Sequence, residues 1–79
     1  MVDSVHFCDM LHERAIRMEW VDRALRDPDR TEGRADGTRH FMKRIPEFGN
    51  RWLLVVINVA TTPPKRVTAF FDRRLRKEP

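Results

Sequence analysis

Two histidines and a set of arginines are the residues of this chain that could act on a phosphodiester. Cleaving RNA without a metal needs a base for the 2′-hydroxyl, an acid for the leaving oxygen and cations for the charge that builds on phosphorus. His6, His40, Arg14, Arg39 and Arg44 are of the right types. Imidazole is the side chain whose ordinary pKa lies nearest neutral. His6, Met10 and Arg14 are spaced i, i+4, i+8, so on a helix they form one stripe. If that helix crosses a sheet, His6 and Arg14 face His40 over a groove. The competing structural reading has His6 bordering its helix, Arg14 paired with an acid such as Asp72, and His40 as a surface residue of a strand.

Phosphate binding has a broader signal. Thirteen of the 79 residues are Arg and three are Lys. Arg offers a planar fork that grips phosphate or carboxylate with two hydrogen bonds. The net charge of +4 fits a nucleic acid or an acidic protein as partner. The nucleic-acid-binding candidates are Arg39, Arg44, Arg66, Arg73, Arg74 and Arg76, the last three in a basic tail over residues 73–79. Against this, 12 acidic residues lie among the cations, as on an ordinary solvated surface. Trp20 and Trp52 are base-stacking types, although Trp20 falls mid-face on an amphipathic helix. No metal site is expected: His6 and His12 point in opposite directions on a helix, and no His-Glu-x-x-His or paired-cysteine spacing exists. No cofactor is expected either, because no glycine-rich phosphate loop is present. Cys8 lies in an apolar arc and reads as a small core residue.

The elements that must position these residues follow from periodicity. Ser4 is a cap for a first helix over about 5–15, with Phe7, Cys8, Leu11 and Ala15 on one arc. A second helix over 18–26 has Met18, Trp20, Val21, Ala24 and Leu25 on one face and stops before Pro28. Strands are expected at about 30–34, 39–45, 52–60 and 66–72, with Asp36-Gly37 as a hairpin turn. In the last strand, Val67, Ala69 and Phe71 alternate with Thr68 and Phe70. Helices and strands segregated in sequence mean α+β: two N-terminal helices on a three- to four-stranded antiparallel sheet. The strand at 52–60 is apolar at nearly every position, the mark of burial on both faces. Two helices cover one face. The other must be covered by curling of the sheet, by a second copy of the chain or by a partner, and a homodimer is the expected state.

The order of these residues resembles a bacterial family of domains of unknown function. Its members open on His-Ala-x-x-Arg-x-x-x-Arg-Gly-Ile. Here His6 opens the first helix, Arg14 and Ile16 hold their places, Val21 and Leu25 line the second helix, and Pro28 closes it. A Gly turn, Arg39, Val55-Val56 and the run Val67-Thr68-Ala69-Phe70-Phe71 follow. Phe7 stands for the Ala, Met10 for the first Arg, and Ala15 for the Gly. The resemblance covers about residues 5–73. That family is similar to the BrnT toxins and, more distantly, to the RelE/ParE toxin superfamily. The resemblance implies a RelE/ParE-like α+β fold and a toxin-like RNA-binding domain, with metal-independent endoribonuclease activity as the more specific expectation. It also implies an acidic antitoxin protein as partner. The chain has no Tyr, which RelE-like nucleases often use. The alternative function is a non-enzymatic module for protein interaction or self-association.

Length and composition bound the rest. Seventy-nine residues make one small domain, in which only about 60% of the unfolded surface is buried. A single cysteine allows no internal disulfide and fits a reducing cytoplasm. The longest apolar run, Trp52 to Ile57, falls far short of the roughly 20 residues of a membrane span. No basic region precedes an apolar one at the start, so no signal peptide is expected.

Overall fold

The structure is a computed structural model that describes residues 1–76, the last two of these by backbone alone. Two helices, α1 (Phe7–Glu13) and α2 (Met18–Arg26), pack on one face of a five-stranded sheet. The strands are β1 (Val2–Asp3), β2 (Arg30–Gly33), β3 (Thr38–Ile45), β4 (Arg51–Asn58) and β5 (Lys65–Phe71). Their spatial order is β1-β5-β4-β3-β2. The α+β class is as read from the sequence. The sheet is not purely antiparallel, because β1 pairs with β5 in parallel. A two-residue strand has no period to read. It forms because Val2 N–H donates to the Pro64 carbonyl (3.0 Å) and Ser4 N–H to that of Arg66 (2.8 Å).

Apolar alternation along the central strand β4 builds two cores. Leu53, Val55 and Ile57 join Ile45 and Ala69 beneath Phe7, Leu11, Ile16, Trp20, Val21 and Ala24 of the helical layer. Trp52, Leu54 and Val56 point the other way and join Met42, with Val67 and Phe70 against them. The place of Val67 departs from simple alternation. A register shift between Val56 and Ile57 turns the chain there, so Val67 falls on the helix-free side and Arg66 on the helical side.

The helix-free core does not require a second copy for its burial. Met42, Trp52, Leu54 and Val56 are each at most 9% exposed within one chain. Long neighbours supply the cover: the Arg30 and Arg44 guanidiniums lie 5.6 Å and 5.0 Å from the Trp52 ring centroid. The helix-free face is therefore not a bare apolar surface that calls for a dimer.

Helix α1 is shorter than its period implied. Ser4 does not cap it by its side chain; its hydroxyl donates to the Val67 carbonyl (3.2 Å) and ties the chain to β5. His6 takes the cap position without a side-chain cap bond. At the other end Ala15 adopts φ +56°, the left-handed conformation that favours glycine. That conformation costs an L-residue about 1–2 kcal/mol, partly offset on mutation by glycine's larger freedom in the unfolded chain. Ala15→Gly is therefore expected to stabilise the domain by about 0.5–1 kcal/mol. Thermal denaturation by circular dichroism checks this, and a lower melting temperature refutes it.

One polar link ties α2 to the sheet connection, and another fixes the β2–β3 turn. Arg23 of α2 donates twice to Glu47 (2.9 and 2.7 Å) in the 3-10 turn Pro46–Phe48. This bond is the main reason the Glu47 carboxyl is held down to about 2. In the β2–β3 hairpin, Asp36 Oδ1 accepts from the Thr38 N–H (3.1 Å) and hydroxyl (2.6 Å) while Gly37 supplies φ +88°.

Candidate functional site

Period-two alternation places His40, Met42 and Arg44 of β3 on the helix-free face. The register sets them against specific neighbours. His40 stands between Glu32 of β2 and Val56 of β4; Met42 stands between Arg30 and Leu54; Leu54 pairs on with Phe70 of β5. These residues line an open cleft of about 410 Å³. Met42, Leu54 and Phe70 make its apolar floor. Arg30, Arg34, Glu32, His40, Asp72 and Arg74 make its polar rim.

The rim is electrostatically organised. Asp72 is 7% exposed, and its two carboxylate oxygens accept from Arg74 Nε (3.1 Å), Nη2 (3.0 Å) and backbone N–H (2.9 Å). These bonds, the side-chain ones first, hold the Asp72 carboxyl below its usual range and raise Arg74 above its own. Arg34 Nη2 lies 3.0 Å from Glu32 Oε1. Among the described residues the rim thus brings three guanidiniums together with two carboxylates. His40 Nδ1 is buried without a hydrogen-bond partner among the described residues, as is Trp52 Nε1. Arg44 lies on the same face beside the cleft; its backbone N–H donates to Asp29 Oδ2 (2.9 Å), and its guanidinium lies over Trp52 with no carboxylate partner among the described residues.

The residues proposed for chemistry are not gathered in one place. His40 lines the cleft and Arg44 flanks it. His6 opens α1, which packs through Phe7 and Leu11 into the helical-side core, so His6 and His40 belong to different layers. Arg14 does not pair with Asp72. Its Nη1 donates to the Ala69 carbonyl (2.8 Å) and the Thr68 hydroxyl (3.3 Å) on β5. Asp72 takes Arg74 instead, because a guanidinium two residues away reaches it with little loop to close. Met10 shares this edge: its sulfur accepts from the Thr68 hydroxyl at 2.7 Å.

The nucleic-acid-binding candidates divide in the same way. Arg39 pairs in register with Ile57, a helical-side core residue, and so alternates away from His40. Arg66 is drawn into the helical layer by Asp3 and Asp22. Arg73 is exposed and Arg74 joins the cleft, both in the turn Arg73–Arg76. The Arg76 side chain and residues 77–79 lie outside the described residues. Cys8 is exposed rather than buried in the core, since α1 turns its Phe7 and Leu11 face inward.

Sequence reading missed Arg30, Glu32, Arg34 and Phe70 as site residues. The signal was there in part: Arg30 and Glu32 alternate with Thr31 and Gly33 on an edge strand, so both face one side. Among the described residues, no group of three His, Cys, Asp or Glu side chains is placed to hold a metal ion. No described helix is long and apolar enough to cross a membrane. No family model, curated protein or solved structure matches this chain.

Proposed function

We propose that the chain is a toxin-like RNA-binding domain that presents the helix-free face of its sheet to single-stranded RNA. The observation that carries this reading is the cleft, where an apolar floor with one aromatic ring meets three guanidiniums. Single-stranded nucleic acid is bound by this combination: cations track the backbone and aromatic rings stack bases. Arg44 extends the positive rim along the same face. The toxin-like part of the reading gains support from Ala15. The resembled family carries Gly at that position, and the backbone there is left-handed.

Cleavage, on this reading, runs through His40 as the imidazole of the cleft, with Arg34 and Arg74 beside it to meet charge on phosphorus. An acidic antitoxin would compete for the same cationic face. Fluorescence anisotropy with a labelled 12-nucleotide RNA tests the binding. Contacts from Arg30, Arg34, Arg44 and Arg74 to four phosphates give a log–log salt slope of about −2.8, at about 0.7 per phosphate on a single strand. Affinity should then fall about 50-fold between about 50 and 200 mM salt. An absence of binding at 50 mM salt removes the reading. A denaturing gel of the same mixture reports cleavage.

A further inference from the structure

We infer that the cleft is a subsite for a single nucleotide, with the base on Phe70 and the phosphate beside Arg34, Arg74 and His40. This rests on the RNA-binding reading and says which unit of RNA the site takes. Three observations limit the occupant to one nucleotide. First, Trp52 is 6% exposed and already has two guanidiniums over its ring, so it offers no platform to a base. Phe70 is half-buried and lines the cleft, which leaves one platform for one base. Second, the cavity of about 410 Å³ lies near the lower end of the roughly 300–1,000 Å³ of small-molecule sites. Third, donors and acceptors share the rim. Guanidiniums suit a phosphate, while the exposed Glu32 carboxylate is an acceptor of the kind that base amino groups seek.

His40 fixes where the phosphate goes. A neutral imidazole carries its proton on one nitrogen. Nδ1 is buried and unpartnered among the described residues, and an orphaned buried N–H is the costlier defect than an orphaned acceptor. The proton therefore belongs on Nε2, the nitrogen left to meet a ligand. Nε2–H then donates to a phosphate oxygen, alongside the guanidiniums of Arg34 and Arg74.

Two-dimensional ¹H–¹⁵N NMR titration tests this with three probes: adenosine 5′-monophosphate, adenosine and inorganic phosphate. The monophosphate should shift the amides of His40, Met42, Leu54 and Phe70 and saturate. Adenosine and phosphate alone should each bind at least about tenfold more weakly, since each forfeits one half of the contacts. Phe70→Leu keeps an apolar floor but removes the ring, and should weaken the monophosphate about 5- to 150-fold. Arg34→Gln, at an exposed position that leaves the core untouched, should weaken it several-fold. The subsite is overturned if shifts fall outside the cleft, if phosphate alone binds as well as the nucleotide, or if both variants bind like the parent. Should the 12-nucleotide RNA bind while the monophosphate leaves the cleft unshifted, the subsite is wrong and RNA binding stands. Should neither bind, the functional reading fails and the subsite with it.

Discussion

Replacing Arg66 by alanine is expected to destabilise the domain by about 2–3 kcal/mol and to lower its melting temperature by about 10–20 °C. The Arg66 guanidinium ties four elements together. Nε donates to Asp3 Oδ1 on β1, and Nη1 to Asp22 Oδ1 on α2 at 3.3 Å. Nη1 also lies 3.8 Å from the Met18 sulfur, and Cζ sits 5.5 Å from the Phe7 ring centroid of α1. The Arg66 side chain is 18% exposed, Asp3 27% and Asp22 49%. Breaking a fully buried pair costs about 3–5 kcal/mol and an exposed one about 0–1, so this network belongs between them. Loss of the cation from two part-exposed carboxylates and of its packing on the Phe7 ring together supply it. Thermal and urea denaturation of Arg66→Ala measure it. RNA affinity, corrected for the folded fraction, should not change, because Arg66 lies on the helical side and the cleft on the other. A variant that melts like the parent but binds RNA more weakly would return Arg66 to the phosphate-binding set that the sequence suggested.

The misplacement of Arg66 shows where sequence pattern stops being informative. Period and punctuation located α2 at its observed bounds, and the four longer strands within two residues, because each contains enough turns or alternations for its pattern to dominate. Strand β3 is legible down to its faces: period-two alternation alone puts His40, Met42 and Arg44 on one side, as observed. What alternation alone left open is which side the helices cover. That depends on Trp20, Val21 and Ala24 meeting Leu53, Val55 and Ile57 across some 30 residues of sequence. The bulge at Val56/Ile57 has no local signature, yet it exchanges Arg66 and Val67 between faces. β1 exists through contacts to residues about 63 positions away, and Asp3 and Ser4 acquire their roles only once β5 is in place. The candidate site was half legible for the same reason. His40 and Arg44 follow from a strand period, whereas Phe70, Asp72 and Arg74 join them only through the β4–β5 register and the turn after it.

Phe7→Ala is expected to cost about 3–5 kcal/mol, the largest single loss among these substitutions. Phe7 is fully buried and is the first residue of α1. It helps hold that short helix to the sheet, together with Leu11 and the edge bonds from Arg14. A seven-residue helix has little stability of its own, so packing must supply nearly all of it. A domain of 79 residues has about 4–12 kcal/mol in total, so removing the ring brings the chain close to unfolding. Urea denaturation should show a large drop in midpoint, and a loss below 1 kcal/mol would mean that α1 collapses onto the vacated space at little cost. Phe7 and Arg66 are in contact, so their effects should not add. The milder Phe7→Leu, combined with Arg66→Ala, keeps the double variant folded enough to measure. Each single variant already forfeits the cation–ring attraction, so the double should be less destabilised than the sum of the two by about 0.5–1 kcal/mol. Strict additivity would show that the guanidinium draws its stability from Asp3 and Asp22 alone, and that the ring beneath it serves by its volume.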